Sequence, residues 1–338
     1  MQGSREPTTP KNASTPARSA MLGLLRGFSS LKHLASHHLG AIGLCGQELN
    51  LRAGGEAFHE GEGGDDVFIV LSGSATAIRQ TPLGDLLGAA FLRGDIDGEV
   101  SYLDGQPRCW SLRANEPTTL LRLPGEQLQE LVRGEPGLGL ELLRTFWSSL
   151  AAKVRSANRV MNEIMAPGQH ASPPNRGGAG VEVALPESAK WFTLRTLGFS
   201  GAELGLLATQ LSAHRFEENA FIFAEGEPGD TLYVILDGQV RISRRIPGLG
   251  EEALAILGRG GVFGEMALVD EKPRSADAIA HGGECSLLAI NRVDLARAAA
   301  SDPASMLGFF ALMCQVLCRR LRAMTEQLVA WRIMAGFG

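Results

Sequence analysis

The chain has 338 residues, enough for two domains of ordinary size, with 44% hydrophobic and 20% charged residues. Its formal net charge of −5 gives no general pull toward nucleic acid or an anionic membrane face. No apolar run is long enough to span a bilayer, and Met21-Leu22-Gly23-Leu24-Leu25 is too short for a signal-peptide core, so a cytoplasmic protein without membrane association is expected. Five scattered cysteines fit a reducing compartment better than a disulfide framework.

Residues 1–20, rich in Ser, Thr, Pro, Arg and Asn, read as a disordered tail. A first domain, 21–165, opens with a helical region at Leu31–Ile42, whose His37-His38 pair reads as surface. Short strands rich in Val, Ile, Leu and Phe follow, punctuated by Gly. The domain closes in a helix whose Leu140, Leu143, Trp147, Leu150, Val154, Ala157, Met161 and Ile164 step by three and four. Residues 166–187, with their Pro, Gly and small residues, read as a flexible linker. The second domain, 188–338, repeats the order: a helix at Gly201–Leu211 with Ser200 as N-cap, short strands, then a long helix. Its seam is Leu307, Phe310, Cys314, Leu317, Leu321, Met324, Leu328 and Trp331. Cys314 and Cys318 share a face of this helix without further ligands nearby and read as core, so no metal site is expected. The expected class is mixed α/β (α+β): two antiparallel jelly-roll-like β-rolls, each with flanking helices and a long C-terminal helix.

The stretch Phe263-Gly264-Glu265-Met266-Ala267-Leu268, followed by Pro273-Arg274-Ser275-Ala276, carries the chemistry. Amides at the start of a short helix and an Arg guanidinium both favour a phosphate. A Glu beside them would repel that phosphate, so it suits a neutral donor such as a sugar hydroxyl. Phosphate and hydroxyl together suggest a nucleotide. Upstream lies Glu225-Gly226-Glu227-Pro228-Gly229-Asp230, then Leu232-Tyr233-Val234-Ile235-Leu236-Asp237-Gly238. The same pattern occurs earlier, in Glu60-Gly61-Glu62-Gly63-Gly64-Asp65 and Val67–Gly73, then Gly98-Glu99 and Pro107-Arg108. The chain is therefore a tandem duplication. In the first copy Asp97 precedes the glycine and adds negative charge beside the nest. Cys109 and Trp110 stand where the second copy has Ser275 and Ala276, and Trp110 either stacks on a base or fills the pocket.

These residues resemble the phosphate-binding cassette of the cyclic-nucleotide-binding domain, as in bacterial catabolite activator proteins and kinase regulatory subunits. The resemblance implies that Gly264, Met266, Ala267, Arg274, Ser275 and Ala276 surround the cyclic phosphate and that Glu265 takes the ribose 2′-hydroxyl. It implies a weaker or altered site at Gly98, Glu99, Val100, Arg108, Cys109 and Trp110, or a degenerate one kept as a structural module. The ligand is expected to be cAMP, the commoner bacterial ligand, or cGMP; a cyclic dinucleotide is a lesser option for the first site. Thr325 and Gln327 are candidates to meet the base. The long helices are expected to pair, either with each other as an internal pseudo-dimer or with those of a second copy as a homodimer. Arg319, Arg320 and Arg322 read as a solvated face, and no basic recognition helix follows, so DNA is not an expected partner. No metal cluster or nucleophile–base pair accompanies the cassette, so neither an enzyme nor a cofactor is expected. The resulting expectation is a regulatory sensor that signals to an unidentified protein effector; the alternative is an interaction scaffold with vestigial nucleotide binding.

Overall fold

A computed structural model describes residues 15–165, 180–196, 208–246 and 250–336. In the first half, helices α1 (Thr15–Arg26) and α2 (Ser36–Cys45) precede a β-roll made of two facing sheets. One sheet has the order β1 (Gln47–Leu51), β7 (Thr118–Leu123), β2 (Val67–Ser72), β5 (Ile96–Asp97) and the other β4 (Gly84–Phe91), β3 (Ala75–Thr81), β6 (Ser111–Ala114), with every pairing antiparallel. Strand β2 (Val67–Ser72) is buried along all but its last residue, as its unbroken apolar run requires of a strand covered on both faces. β5 (Ile96–Asp97) leads into the short helix α3 (Glu99–Asp104). After β6 (Ser111–Ala114) and β7 (Thr118–Leu123), helices α4 (Gly125–Gly134) and α5 (Pro136–Met165) close this half.

The second half repeats the roll with longer strands. β11 (Thr231–Ile246) and β14 (Asp277–Asn291) pair along their length and carry β12 (Gly250–Leu257), β13 (Val262–Phe263), β10 (Phe221–Phe223) and β9 (Ser212–Phe216) beside them. β13 (Val262–Phe263) runs into α7 (Glu265–Asp270), and α8 (Arg292–Ser301) precedes the long helix α9 (Pro303–Gly336). Among the described residues, no helix is long and apolar enough to cross a membrane.

Four local expectations need correction. Residues 15–20 are the first turns of α1, not a disordered tail. The helix expected at Leu31–Ile42 is split into a 3-10 turn at Ser29–Leu31 and α2. Its backbone is captured at the break, where extended Ala35 donates its N–H to Glu141 Oε2 at 2.8 Å. Within the expected linker, Val181–Glu182 form β8 on the edge of the second sheet, Val181 opposite Arg215, and Glu187 starts α6 (Glu187–Thr196). His38 is buried, its Nδ1 2.6 Å from Glu141 and its Nε2 3.0 Å from Glu135, although His37 is exposed. The ligand atoms of His37, His38 and Glu135 lie within 4.8 Å of one another. Of the helix expected at Gly201–Leu211, residues 200–207 lie outside the described residues, as do 166–179 of the linker.

Helices α5 and α9 pack against each other within the chain. The Trp147 and Phe310 rings meet edge-on, 5.5 Å between centroids, and the Cys314 thiol donates to Leu143 O at 3.3 Å. Leu150, Val154, Leu317, Leu321 and Met324 are buried along this seam, which joins the two halves into one apolar core.

Candidate functional site: two cassettes, one open

The second cassette begins where β13 ends. Gly264 adopts φ 78°, a left-handed turn that a side chain would strain. A Cβ there would also lie 2.8 Å from the Arg274 Nη1 atom. The turn opens α7 without a side-chain cap for its first amides. Glu265 through Leu268 are buried, Glu265 completely. Arg274, 6% exposed, lies 4.1 Å over the Phe223 ring and donates from Nη1 to Gly264 O at 2.9 Å. Its Nε is buried without a partner, and no carboxylate among the described residues lies within ion-pair distance. Burial pulls its pKa down against the more distant pull of Tyr233 and Glu265. A buried guanidinium without a counter-ion is a strong anion receptor.

Glu265 has one oxygen engaged and one not. Arg320, from α9, binds Oε1, while Oε2 is buried and unpartnered. Ser275 and Ala276 stand on the wall of a cavity of about 400 Å3, with Met266 and Arg320 beside them. The opposite wall comes from both long helices: Val154, Asn158 and Met161 of α5, and Met324 and Gln327 of α9. Gly264, Glu265, Met266, Ala267, Arg274, Ser275 and Ala276 are thus brought together around one recess adjoining this cavity.

The first cassette has the same frame. Gly98 takes φ 89°, and Arg108 donates from Nη1 to Gly98 O at 3.0 Å and from Nη2 to Asp66 O at 2.9 Å, over the Phe58 ring. Val100 is buried beside Glu99, and the half-buried Cys109 thiol is pushed up to about 12, chiefly by burial. What differs is a cation supplied by α5. The Lys153 ammonium lies 2.9 Å from Asp97 Oδ1 and 2.5 and 2.6 Å from the two oxygens of Glu99. Ser149 also donates to Glu99, and the Trp110 indole N–H donates to Asp97 Oδ2 at 2.9 Å. All of Asp97, Glu99, Lys153 and Trp110 are buried. Burial alone would lower the pKa of Lys153, but Asp97 and Glu99 outweigh it and hold the ammonium charged. What remains of the cavity is about 50 Å3, walled by Trp110 and Lys153. Asp97 is therefore not a free negative charge beside an anion nest: it shares the Lys153 ammonium with Glu99 and accepts from the Trp110 indole N–H.

Sequence reasoning missed the helix-borne residues. Arg320 and Arg322 are not a solvated face: the first binds Glu265, and the second grips Asp104 through both oxygens at 2.7 and 2.9 Å. Thr325 donates to Leu321 O and lines the first cavity rather than the second, whereas Gln327 does line the second. The available signal was an extension of the repeat: Lys153-Val154-Arg155 and Arg320-Leu321-Arg322 are matching triplets on the two long helices.

Comparison with known proteins agrees with the duplication. The family model of the cyclic nucleotide-binding domain matches residues 48–135 and 213–302. A CRP-like cAMP-activated global transcriptional regulator of Mycobacterium tuberculosis is 42% identical over 83 residues, 24% of this chain and 37% of that protein. The cGMP-dependent protein kinase egl-4 of Caenorhabditis elegans is 26% identical over 263 residues, 78% of this chain and 28% of that protein. The chain thus spans only about a third of either relative's length. Among solved structures, the regulatory domain of Toxoplasma gondii PKA with cAMP aligns with 86% of this chain and 95% of its own, at 21% identity and a TM-score of 0.33. A cyclic nucleotide-binding domain from Methylobacillus flagellatus aligns with 44% of this chain and 86% of its own, at 27% identity and a TM-score of 0.40.

Proposed function

Because the chain belongs to the cyclic nucleotide-binding domain family, carrying the domain twice, we propose that it is a regulatory sensor taking one cyclic nucleotide per chain, in the second domain. The observation that carries this reading is the buried Arg274, without an ion pair, beside the free Oε2 of Glu265, in a recess that shares Met266, Ser275, Ala276 and Arg320 with a cavity of about 400 Å3. Arg274 and the first amides of α7 hold the cyclic phosphate, and Glu265 accepts from the ribose hydroxyl. The base lies between the roll and the paired helices, where Asn158 and Gln327 offer polar contacts and Met161 and Met324 apolar ones. In the first domain Lys153 and Trp110 stand where a ligand would, so that half acts as a fixed module. cAMP is favoured over cGMP because the relative of higher identity is cAMP-activated; Ser275, after Arg274, serves either base.

Ligand held between the second roll and α5 and α9 draws on both halves at once, so its arrival shifts the helices and changes the surface offered to a protein effector in the cytoplasm. No catalytic step is assigned, because the cassette presents a receptor for charge and a hydroxyl, without a nucleophile–base pair.

Calorimetric titration with cAMP, cGMP and cyclic di-GMP tests this reading. One site per chain is expected. Arg274→Ala removes a charge-assisted contact of about 2–3 kcal/mol, weakening binding about 30- to 150-fold with the fold intact. Arg108→Ala is expected to leave affinity within about twofold. Two sites per chain would restore the first cassette as a ligand site, and full affinity in Arg274→Ala would overturn the assignment.

A further inference from the structure

A second concavity, of about 580 Å3, lies on the other side of α5 from the nucleotide cavity. Its walls are the Ser29–His33 turn, strand β4 (Gly84–Phe91), α5 and the end of the second cassette helix at Asp270 and Lys272. Five cationic side chains reach it (Lys32, Lys153, Arg155, Arg159 and Lys272) against two carboxylates, Asp95 and Asp270, in a chain whose net charge is −5. Lys153 is taken by Asp97 and Glu99, and Arg155 is taken by Asp270. Lys32, Arg159 and Lys272 stand exposed at the rim, with no ion-pair partner among the described residues. Asp95 is turned toward its own loop, accepting from Leu92 N–H at 2.8 Å.

Two residues of the lining, His33 and Ser148, each carry a polar atom, Nε2 and Oγ, that is buried behind the wall with no hydrogen-bond partner. Burial first, then Arg144 and Lys32, push the His33 imidazole down to about 4, so at neutral pH it is uncharged in a positive field. Buried polar atoms are ordinarily satisfied, and unmatched cations around a concavity of drug-like size call for an anion with acceptor oxygens.

We propose that this groove is a second ligand site, separate from the cyclic-nucleotide cavity, for a small molecule carrying two or more phosphate groups. Lys32, Arg159 and Lys272 hold the phosphates at the rim, with His33 and Ser148 behind the inner wall. One wall is the end of α7, pinned by Arg155, so occupancy bears directly on the helix that presents Glu265. By linkage, such a ligand and the cyclic nucleotide alter each other's affinity by the same factor.

The test is calorimetric titration of the full chain with inorganic tripolyphosphate at low salt, with and without saturating cAMP. One site is expected. Affinity should fall about tenfold or more in Lys32→Ser/Arg159→Ser, which removes exposed charges and no core contact, and should stay unchanged in Arg274→Ala. No binding at about millimolar ligand, equal affinity in the double variant, or loss of binding in Arg274→Ala would each overturn the proposal. The last outcome would place the anion in the cassette and leave the reading of that site standing.

Discussion

Lys153 and Arg320 hold matching places on the two long helices, yet they leave their cassettes in opposite states. The lysine is 5% exposed and binds both oxygens of Glu99 and one of Asp97. The arginine side chain is 28% exposed and engages one oxygen of Glu265. One glutamate has both oxygens engaged by the protein; the other keeps one oxygen unpartnered. Removing Lys153 would strand two buried carboxylates, a loss of about 3–5 kcal/mol by analogy with other broken buried pairs. The pH dependence follows from the directions of the shifts. In the native chain Lys153 titrates above its ordinary 10.5, so its contribution is present below that value and lost as pH rises through the folded one. Burial, the first cause acting on Glu99, pushes its carboxyl up even with the lysine present. In Lys153→Met, Glu99 is a raised acid without its cation, whose stability is present below about pH 4.5 and lost above it. Scanning calorimetry of Lys153→Met should therefore show a deficit that is large at pH 8 and shrinks toward about pH 4.5. A deficit equal at both pH values would mean that the lysine's stem, not its charge, carries the stability.

At the scale of elements, each long helix reaches across to the other half's cassette. Arg155 of α5 grips Asp270 at 2.6 and 3.0 Å and Pro273 O at 2.8 Å. Arg322 of α9 does the same to Asp104 and to Pro107 O, the latter at 2.9 Å. Both clamps hold the segment between a cassette glutamate and its arginine. Arg155→Ala should therefore weaken cyclic-nucleotide binding without touching ligand, by about 3- to 10-fold for a partly buried bidentate pair. Arg322→Ala, aimed at the closed cassette, should lower the melting temperature and leave affinity within about twofold; equal losses of affinity in the two variants would refute this division. The strands, the cassettes and the seam of Leu317, Leu321 and Met324 were legible in the sequence because period and turn chemistry are local signals. The clamps were not, since Arg155 meets Asp270 across 115 residues and only through the rotation of one helix about another. The buried face of α9 is also wider than its three-and-four pattern, taking in Phe309, Met313 and Cys318, because the helix packs on α3, α5 and α8 at once.

At the scale of the molecule, duplication has placed two unlike copies about one helix pair. Asp97, Trp110 and Lys153 close one side, and Phe263, Ala276 and Arg320 leave the other open. This inequality favours pairing within a chain, because a homodimer built from equivalent long helices would set like against like and lose the reciprocal grips of Arg155 and Arg322. Covalent connection also raises the effective concentration of the partner helix to the point where a second chain cannot compete at ordinary dilution. The seam that a second copy would need is already buried, with Trp147, Phe310, Cys314 and Leu317 each at most 3% exposed. Light scattering should accordingly give a mass near 36.0 kDa across about a hundredfold range of concentration, with a melting temperature that does not move with it. Trp147→Ala, which opens the middle of the seam, should cost about 3–5 kcal/mol in that same single transition. A mass near twice the chain's, or a melting temperature that climbs with concentration, would show that the helices pair between molecules instead.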